Sequence, residues 1–283
     1  MLKNNIIQME ENMYKLIALD MDGTLLTSDK KVSEKTEAAL KAAEAKGVKI
    51  VLASGRPLLG LNRYLEELDL LKDEDYVLSF NGGVVQNTKT GEVVSKVSLK
   101  GSDLKNIYKI SKELNINIHA FSAKDGLITP KASQYTEHEA KLNGIDFNIK
   151  DFNEVDDEED IIKVMMIDPQ EILDPAIEKL PNEIYEKYSV FKSSPYFLEF
   201  THKEVDKGLG LKKLGEHLGI KREEIIACGD AGNDLSMVKY AGLGVAMGNA
   251  SPEVKEVANF ITTSNDENGI ANVIEKFILN ESV

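Results

Sequence analysis

The stretch Lys15-Leu16-Ile17-Ala18-Leu19-Asp20-Met21-Asp22-Gly23-Thr24 decides how the rest of the chain is read. Its first half is continuously apolar, without alternation, as a strand buried on both faces of a parallel sheet requires. Two carboxylates at i and i+2 follow, and then a glycine turn. In an open α/β sheet, ligands bind at the carboxyl ends of strands. Asp20 and Asp22 project from one such end in this reading and can share one cation. Paired acids so close cannot both ionise freely without one, so Mg²⁺ is a natural guest. Aspartates also follow strands simply to shape turns, but the functional reading is the one preferred for this stretch.

The surroundings continue the pattern. Ser33 is a suitable N-cap for an Ala-rich helix over Glu34–Lys46, and Gly47 closes it. Val48–Ala53 reads as the next strand, which makes a βαβ unit with a right-handed crossover. The same order returns near the C-terminus. Helix Leu209–Leu218, strand Glu224–Cys228, helix Asp234–Ala241, strand Gly244–Met247, helix Pro252–Ala258 and strand Asn259–Thr262 succeed one another. Both ends are therefore expected to be doubly wound α/β. The middle, from about Gly83 to His202, mixes strand-like runs (Val84-Val85, Ile161–Ile167, Phe197–Thr201) with helices at Asp103–Leu114 and Pro175–Lys179. Without βα alternation it reads as an α+β insertion.

Composition narrows the classes. The 283 residues carry 34 basic and 48 acidic side chains, a net charge of −14, with one cysteine and no tryptophan. That balance argues against nucleic acid or an anionic membrane surface as partner. A lone Cys228 cannot make an internal disulfide or a thiolate metal site, and it reads as a packing residue. No apolar run reaches the roughly 18 residues of a spanning helix. Residues 1–13 read as a flexible tail rather than a signal peptide, with Met13 a possible alternative start. A cytoplasmic protein is expected. The run Asp151–Asp160 holds seven carboxylates in ten residues and reads as a solvated loop.

Three more segments join the first acid pair. Ser54-Gly55-Arg56 follows the second strand, where a hydroxyl and backbone N–H groups suit a phosphate oxygen. Taken alone, it would merely cap the segment ahead of Pro57. Gly229-Asp230-Ala231-Gly232-Asn233-Asp234 follows the Cys228 strand, with two carboxylates and an amide; taken alone, it is an Asx-rich turn. Lys207 stands at a helix entry, a place where lone lysines are usually just exposed. Together they describe a Mg²⁺ site beside a phosphate site, with no Ser–His or Cys–His relay and no Walker-type loop.

These four segments, in this order, resemble the motifs of the haloacid dehalogenase-like (HAD) phosphatases. The likeness extends through Ser79-Phe80-Asn81-Gly82-Gly83, Lys163–Asp168, Ser194–Glu199 and Gly242–Ala250. That is the pattern of the Cof-type branch, subfamily IIB, close to the YidA-like bacterial sugar phosphatases. The resemblance implies a Rossmann-like core, 1–83 with 203–283, and an inserted α+β cap, 84–202. It implies Asp20 as nucleophile, forming an aspartyl phosphate, and Asp22 as general acid and then base. Substrate and phosphate contacts fall to Met21, Ser54, Gly55, Arg56, Asn81, Lys207 and Asn233. Mg²⁺ falls to Asp20, Asp22 (through its backbone carbonyl), Asp230 and Asp234, the last orienting Lys207 or a metal-bound water. The implied activity is Mg²⁺-dependent hydrolysis of a small phosphorylated metabolite, a sugar phosphate above all, by a monomer or homodimer. A phosphomutase is the alternative within enzymes. A receiver-like phosphoacceptor domain is the non-catalytic one, disfavoured because Asp22 would speed dephosphorylation.

Overall fold

The computed structural model describes residues 14–280. The expected tail, residues 1–13, lies outside the described residues. In chain order the elements are β1 (Leu16–Leu19), α1 (Glu34–Ala45), β2 (Lys49–Ala53), α2 (Asn62–Glu67), β3 (Tyr76–Ser79), β4 (Val84–Asn87), β5 (Val93–Lys96), β6 (Leu99–Lys100) and α3 (Gly101–Leu114). Next come β7 (Asn117–Ser122), β8 (Gly126–Thr129), α4 (Gln134–Asn143), β9 (Phe147–Ile149), β10 (Asp160–Ile167), α5 (Gln170–Ile177), α6 (Asn182–Lys187), β11 (Tyr188–Ser194) and β12 (Phe197–His202). The chain closes with α7 (Lys207–Leu218), β13 (Ile225–Gly229), α8 (Leu235–Tyr240), β14 (Leu243–Ala246), α9 (Pro252–Val257), β15 (Phe260–Ile261) and α10 (Gly269–Phe277). Among the described residues no helix is long and apolar enough to cross a membrane.

The chain divides into two compact units. One comprises the described residues up to Ile50 and those from Leu218 onward; the other is Val51–His217. In the first, β1 pairs in parallel with β13, β13 with β14, and β14 with β15. Every residue of β1 and β13 is buried, which is why both read as unbroken apolar runs. Helices α8 and α9 pack on β14, and α1 packs on α10. Ser33 caps α1 as expected, its hydroxyl accepting from the Thr36 N–H at 3.2 Å.

The second unit holds two sheets. The end of β2 pairs in parallel with β3, and β4 then turns back antiparallel and is joined by β5. Val84-Val85, grouped on sequence with the insertion, thus pairs with β3 instead. The other sheet runs β11-β12-β10-β7-β8-β9, with β6 on β10, and is antiparallel except between β8 and β9. Its two faces bury different sets. One, with Ile118, Ala120, Val164, Met166, Leu198 and Phe200, packs with Leu104 and Ile107 of α3. The other carries Phe121, Met165, Phe197 and the α4 residue Ala140.

One expected helix moved at both ends. The helix expected over Pro175–Lys179 runs Gln170–Ile177 with Pro175 inside it. In so short a helix Pro175 forfeits only the bond to the Glu171 carbonyl. The acidic run is no simple loop either. Asp160 opens β10, where it takes Lys96, Lys100 and the Ser98 hydroxyl as partners.

Candidate active site

In the first unit, β1 and β13 end side by side. The Asp20 N–H donates to the Cys228 carbonyl at 3.1 Å, and the chain then folds back on itself. Leu25 N–H reaches the Asp20 carbonyl at 3.1 Å, and Leu26 N–H reaches that of Met21 at 2.9 Å. This turn needs Gly23, whose φ is +83°. It also sets Thr24 beneath Asp230, with the hydroxyl donating to Oδ1 at 2.8 Å. Asp234 is buried, and its Oδ2 accepts the N–H groups of Asp230 and Ala231 at 2.9 and 3.0 Å. The result is a gathering of acids. Asp20, Asp230 and Asp234 each bring a carboxylate oxygen within 4.8 Å of the others. Three carboxylates on hard oxygen atoms suit a divalent cation such as Mg²⁺.

Asp22 is placed differently. Its side chain is exposed, outside that group, and its Oδ1 accepts from Lys30 Nζ at 2.7 Å. The i, i+2 spacing puts two carboxylates on one side only while the strand continues. Here the ladder stops at Asp20, and Asp22 already sits in the turn, bridged to Leu26. The two acids therefore occupy contrasting surroundings: Asp20 is 8% exposed, and Asp22 faces solvent.

In the second unit, Ser54-Gly55-Arg56 follows β2, and Ser54 and Lys207 are both buried. The Ser54 hydroxyl accepts from the Arg56 N–H at 3.2 Å, a local turn contact, while the helical turn that follows Pro57 has no side-chain cap. Against this loop lies the turn Phe80-Asn81-Gly82, with φ of 51°, 57° and 83° in succession. Two non-glycine residues there cost roughly 1–2 kcal/mol each. Asn81 N–H donates to the Ser54 carbonyl at 2.8 Å, and Phe80 N–H to that of Arg56 at 3.1 Å. Gly82 packs against the start of α7. A Cβ there would lie 2.5 Å from the Asp206 carbonyl oxygen and 3.1 Å from Lys207 Cα.

A family model for haloacid dehalogenase-like hydrolases matches residues 17–274. The chain belongs to that family. YxeH of Bacillus subtilis is 46% identical over 269 residues, covering 94% of this chain and 99% of its own. The 5-amino-6-(5-phospho-D-ribitylamino)uracil phosphatase YcsE of the same organism is 31% identical, covering 96% and 99%. Among solved structures, a haloacid dehalogenase-like hydrolase from Bacteroides thetaiotaomicron superposes with a TM-score of 0.82 at 36% identity, covering 93% and 99%. The HAD subclass IIB sugar phosphatase BT4131 gives 0.72 at 27%, covering 93% and 98%. The chain is thus an α/β HAD hydrolase of the phosphatase kind, a phosphoric monoester hydrolase.

For this HAD chain, three of the four acids expected after β1 and β13 (Asp20, Asp230 and Asp234) are gathered within one unit, with Asp22 apart from them. The Ser54 loop, Asn81 and Lys207 lie within the other. Gly55 faces Asn81 closely: a Cβ there would lie 3.3 Å from the amide nitrogen. Asn233 is exposed in the turn before α8, and Met21 is buried. Cys228 is buried inside β13, where burial pushes its thiol far up, which fits packing rather than reactivity. Three residues escaped the sequence reading. Thr24 orients Asp230; Asn249 Nδ2 donates to the Gly23 carbonyl at 2.8 Å; Lys30 holds Asp22. Thr24 and Asn249 both lie in quoted motifs, next to glycines that fix where the chain turns. Lys30 carried no signal.

Proposed function

We propose that this enzyme is a Mg²⁺-dependent phosphatase of small phosphomonoesters, with sugar phosphates as its substrate class, acting in the cytoplasm through an aspartyl phosphate on Asp20. The observation that carries the reading is the buried Asp20 carboxylate gathered with Asp230 and Asp234, while the second acid, Asp22, stands exposed two residues on. A nucleophile must stay charged while its neighbour delivers a proton. Burial alone works against that for Asp20, and the positive charge of a cation held among Asp20, Asp230 and Asp234 is what would keep it ionised.

An Asp20 oxygen attacks phosphorus in line, and the bond to the leaving oxygen breaks as Asp22 delivers its proton there. Asp22, now a carboxylate, takes a proton from water; that water attacks phosphorus and frees Asp20 and inorganic phosphate. For the acid step the exposed pair with Lys30 must open, which costs little at a surface. Asp20, Asp230 and the backbone carbonyl of Asp22 would hold Mg²⁺, which when bound supplies positive charge against the transferring phosphoryl group. Asp234 fixes the Asp230–Ala231 backbone from below. Ser54, Lys207, Asn233 and the N–H groups near Met21 and Gly55 serve the phosphate in this reading, with Arg56 and Asn81 beside them. The segment 84–202 is proposed as a cap whose body is the antiparallel sheet of β6 to β12, although β4 and β5 within those bounds pair with β3 and with each other.

Sugar phosphates are favoured because one structural neighbour is a sugar phosphatase and three relatives are named for a phosphoribityl compound. The test is Asp20→Asn, assayed with an aryl phosphate and a panel of sugar phosphates scored by kcat/KM. Hydrolysis should vanish; near-normal turnover would sink the proposal. Recovery of rearranged sugar phosphate in place of inorganic phosphate would turn it into a mutase.

A further inference from the structure

We propose that Phe80 is a positioning residue. Docked on the antiparallel sheet, its ring holds the left-handed Phe80-Asn81-Gly82 turn in the form that sets the Ser54–Arg56 loop and the entry of α7. The inference rests on the phosphatase reading, since only there do Ser54 and Lys207 act on phosphate.

The backbone supplies the first argument. A bulky aromatic residue at a φ of 51°, followed by two more residues at positive φ, does not persist unless its surroundings over-determine it. A side chain that merely fills space needs no such backbone. The N–H groups of Phe80 and Asn81 are spent on the carbonyls of Arg56 and Ser54, while Gly82 lies close against Asp206 and Lys207. Both phosphate-side segments of this unit thus take their position from one turn.

The ring supplies the second argument. Phe80 stands edge-on to Phe121 of β7, with centroids 5.2 Å apart and planes at 68°. Lys163 of β10, the register partner of Phe121, sets its Nζ 5.1 Å from that ring and 6.0 Å from the ring of Phe80. Lys163 is itself fixed, with Nζ 3.2 Å from Glu199 Oε2 and both side chains buried. A buried lysine that the chemistry leaves unused therefore anchors the socket in which Phe80 sits. The line of contact runs Glu199, Lys163, Phe80, Asn81, Ser54.

The test uses the full chain with Mg²⁺ and p-nitrophenyl phosphate. Phe80→Ala should lower kcat about 10- to 100-fold, the scale of a small misplacement of catalytic groups, with KM changed less than about threefold. Phe80→Tyr, which keeps the ring, should stay within about threefold of wild type. Phe121→Leu should reproduce the loss from the far side of the contact, and the double variant should be no slower than the slower single one. A folded Phe80→Ala enzyme with kcat within twofold of wild type, or losses that multiply in the double variant, would overturn the inference. Should Phe80→Ala fail to fold, Phe121→Leu decides by the same twofold criterion. A wild-type chain with no turnover on any phosphomonoester would overturn the phosphatase reading and this inference with it.

Discussion

Gly23 lies so close to Asp230 that a Cβ on it would stand 2.5 Å from Oδ2 and 2.9 Å from Cγ of the carboxylate. Its φ of +83° is also one that L side chains rarely adopt. Gly23→Ala should therefore strain the turn and push Asp230 away from Asp20 and Asp234. The expected outcome is a stability loss of about 1–2 kcal/mol in urea unfolding without metal. The Mg²⁺ concentration for half-maximal rate should rise at least about 10-fold.

Thr24 offers a gentler perturbation of the same carboxylate. Its buried hydroxyl donates to Asp230 Oδ1 at 2.8 Å. Thr24→Val keeps the shape and removes the donor. An orienting hydrogen bond to a metal ligand is worth about 10- to 100-fold in metal affinity. Calorimetric titration with Mg²⁺ should show that loss while the unfolding midpoint moves little. Unchanged affinity would mean that Asp230 is not a ligand.

How much of this was open to a reader of the sequence follows from where the polar residues went. β1, β13 and β14 are apolar on both faces and end in Asp- or Gly-rich turns, so strands and acid cluster alike were readable from residues 15–24 and 224–247. The second sheet was harder. Helix α4, Gln-Tyr-Thr-Glu-His-Glu-Ala-Lys-Leu-Asn, buries Thr136, Glu139, Ala140 and Asn143, so its inner face carries no apolar stripe. Strands β7, β10 and β12 likewise bury His119, Lys163 and Glu199. Only the fold pairs Lys163 with Glu199 and encloses His119, and without that such residues read as surface. The ends of α4 were available, since Ser133 accepts from Thr136 N–H and Gly144 adopts the left-handed C-terminal form.

The Lys163–Glu199 pair makes that burial measurable. Removing one partner of a buried pair strands the other charge, at a cost of about 3–5 kcal/mol. Lys163→Met should lose stability on that scale in urea unfolding. Adding Glu199→Gln to it should recover part of the loss, because the stranded carboxylate is gone. A double variant less stable than Lys163→Met would contradict the pairing.

Glu139 lies at the edge of the same cluster, 4.0 Å from Lys163 Nζ. Burial raises its carboxyl above the usual range, opposed by Lys163 and reinforced by Glu199. The folded state therefore holds this proton more tightly than the unfolded chain does. Its contribution is fully present below the unfolded pKa and is lost as pH rises through the folded one. Glu139→Gln, which cannot ionise, should gain stability relative to wild type as pH rises from about 4 to 7. Unfolding curves across that range should diverge; a constant difference would place Glu139 in ordinary solvent.

His119 behaves in the opposite sense. Its ring is fully buried in β7, with Nε2 3.1 Å from Met165 Sδ and Nδ1 without a hydrogen-bond partner. Burial, and then the charge of Lys163, pushes it down to about 3. Between that value and an ordinary histidine pKa near 6.5, the unfolded chain binds a proton that the folded chain refuses. Stability must then fall as pH drops from about 6.5 toward 3, by up to about 4 kcal/mol from this residue. His119→Leu removes the refused proton while keeping an apolar side chain in the strand. Urea unfolding in EDTA at pH 7, 5.5 and 4 should give the variant the flatter profile, its advantage growing as acid is added. Parallel profiles would mean that His119 accepts its proton in the folded state, with Lys163 turned away from it.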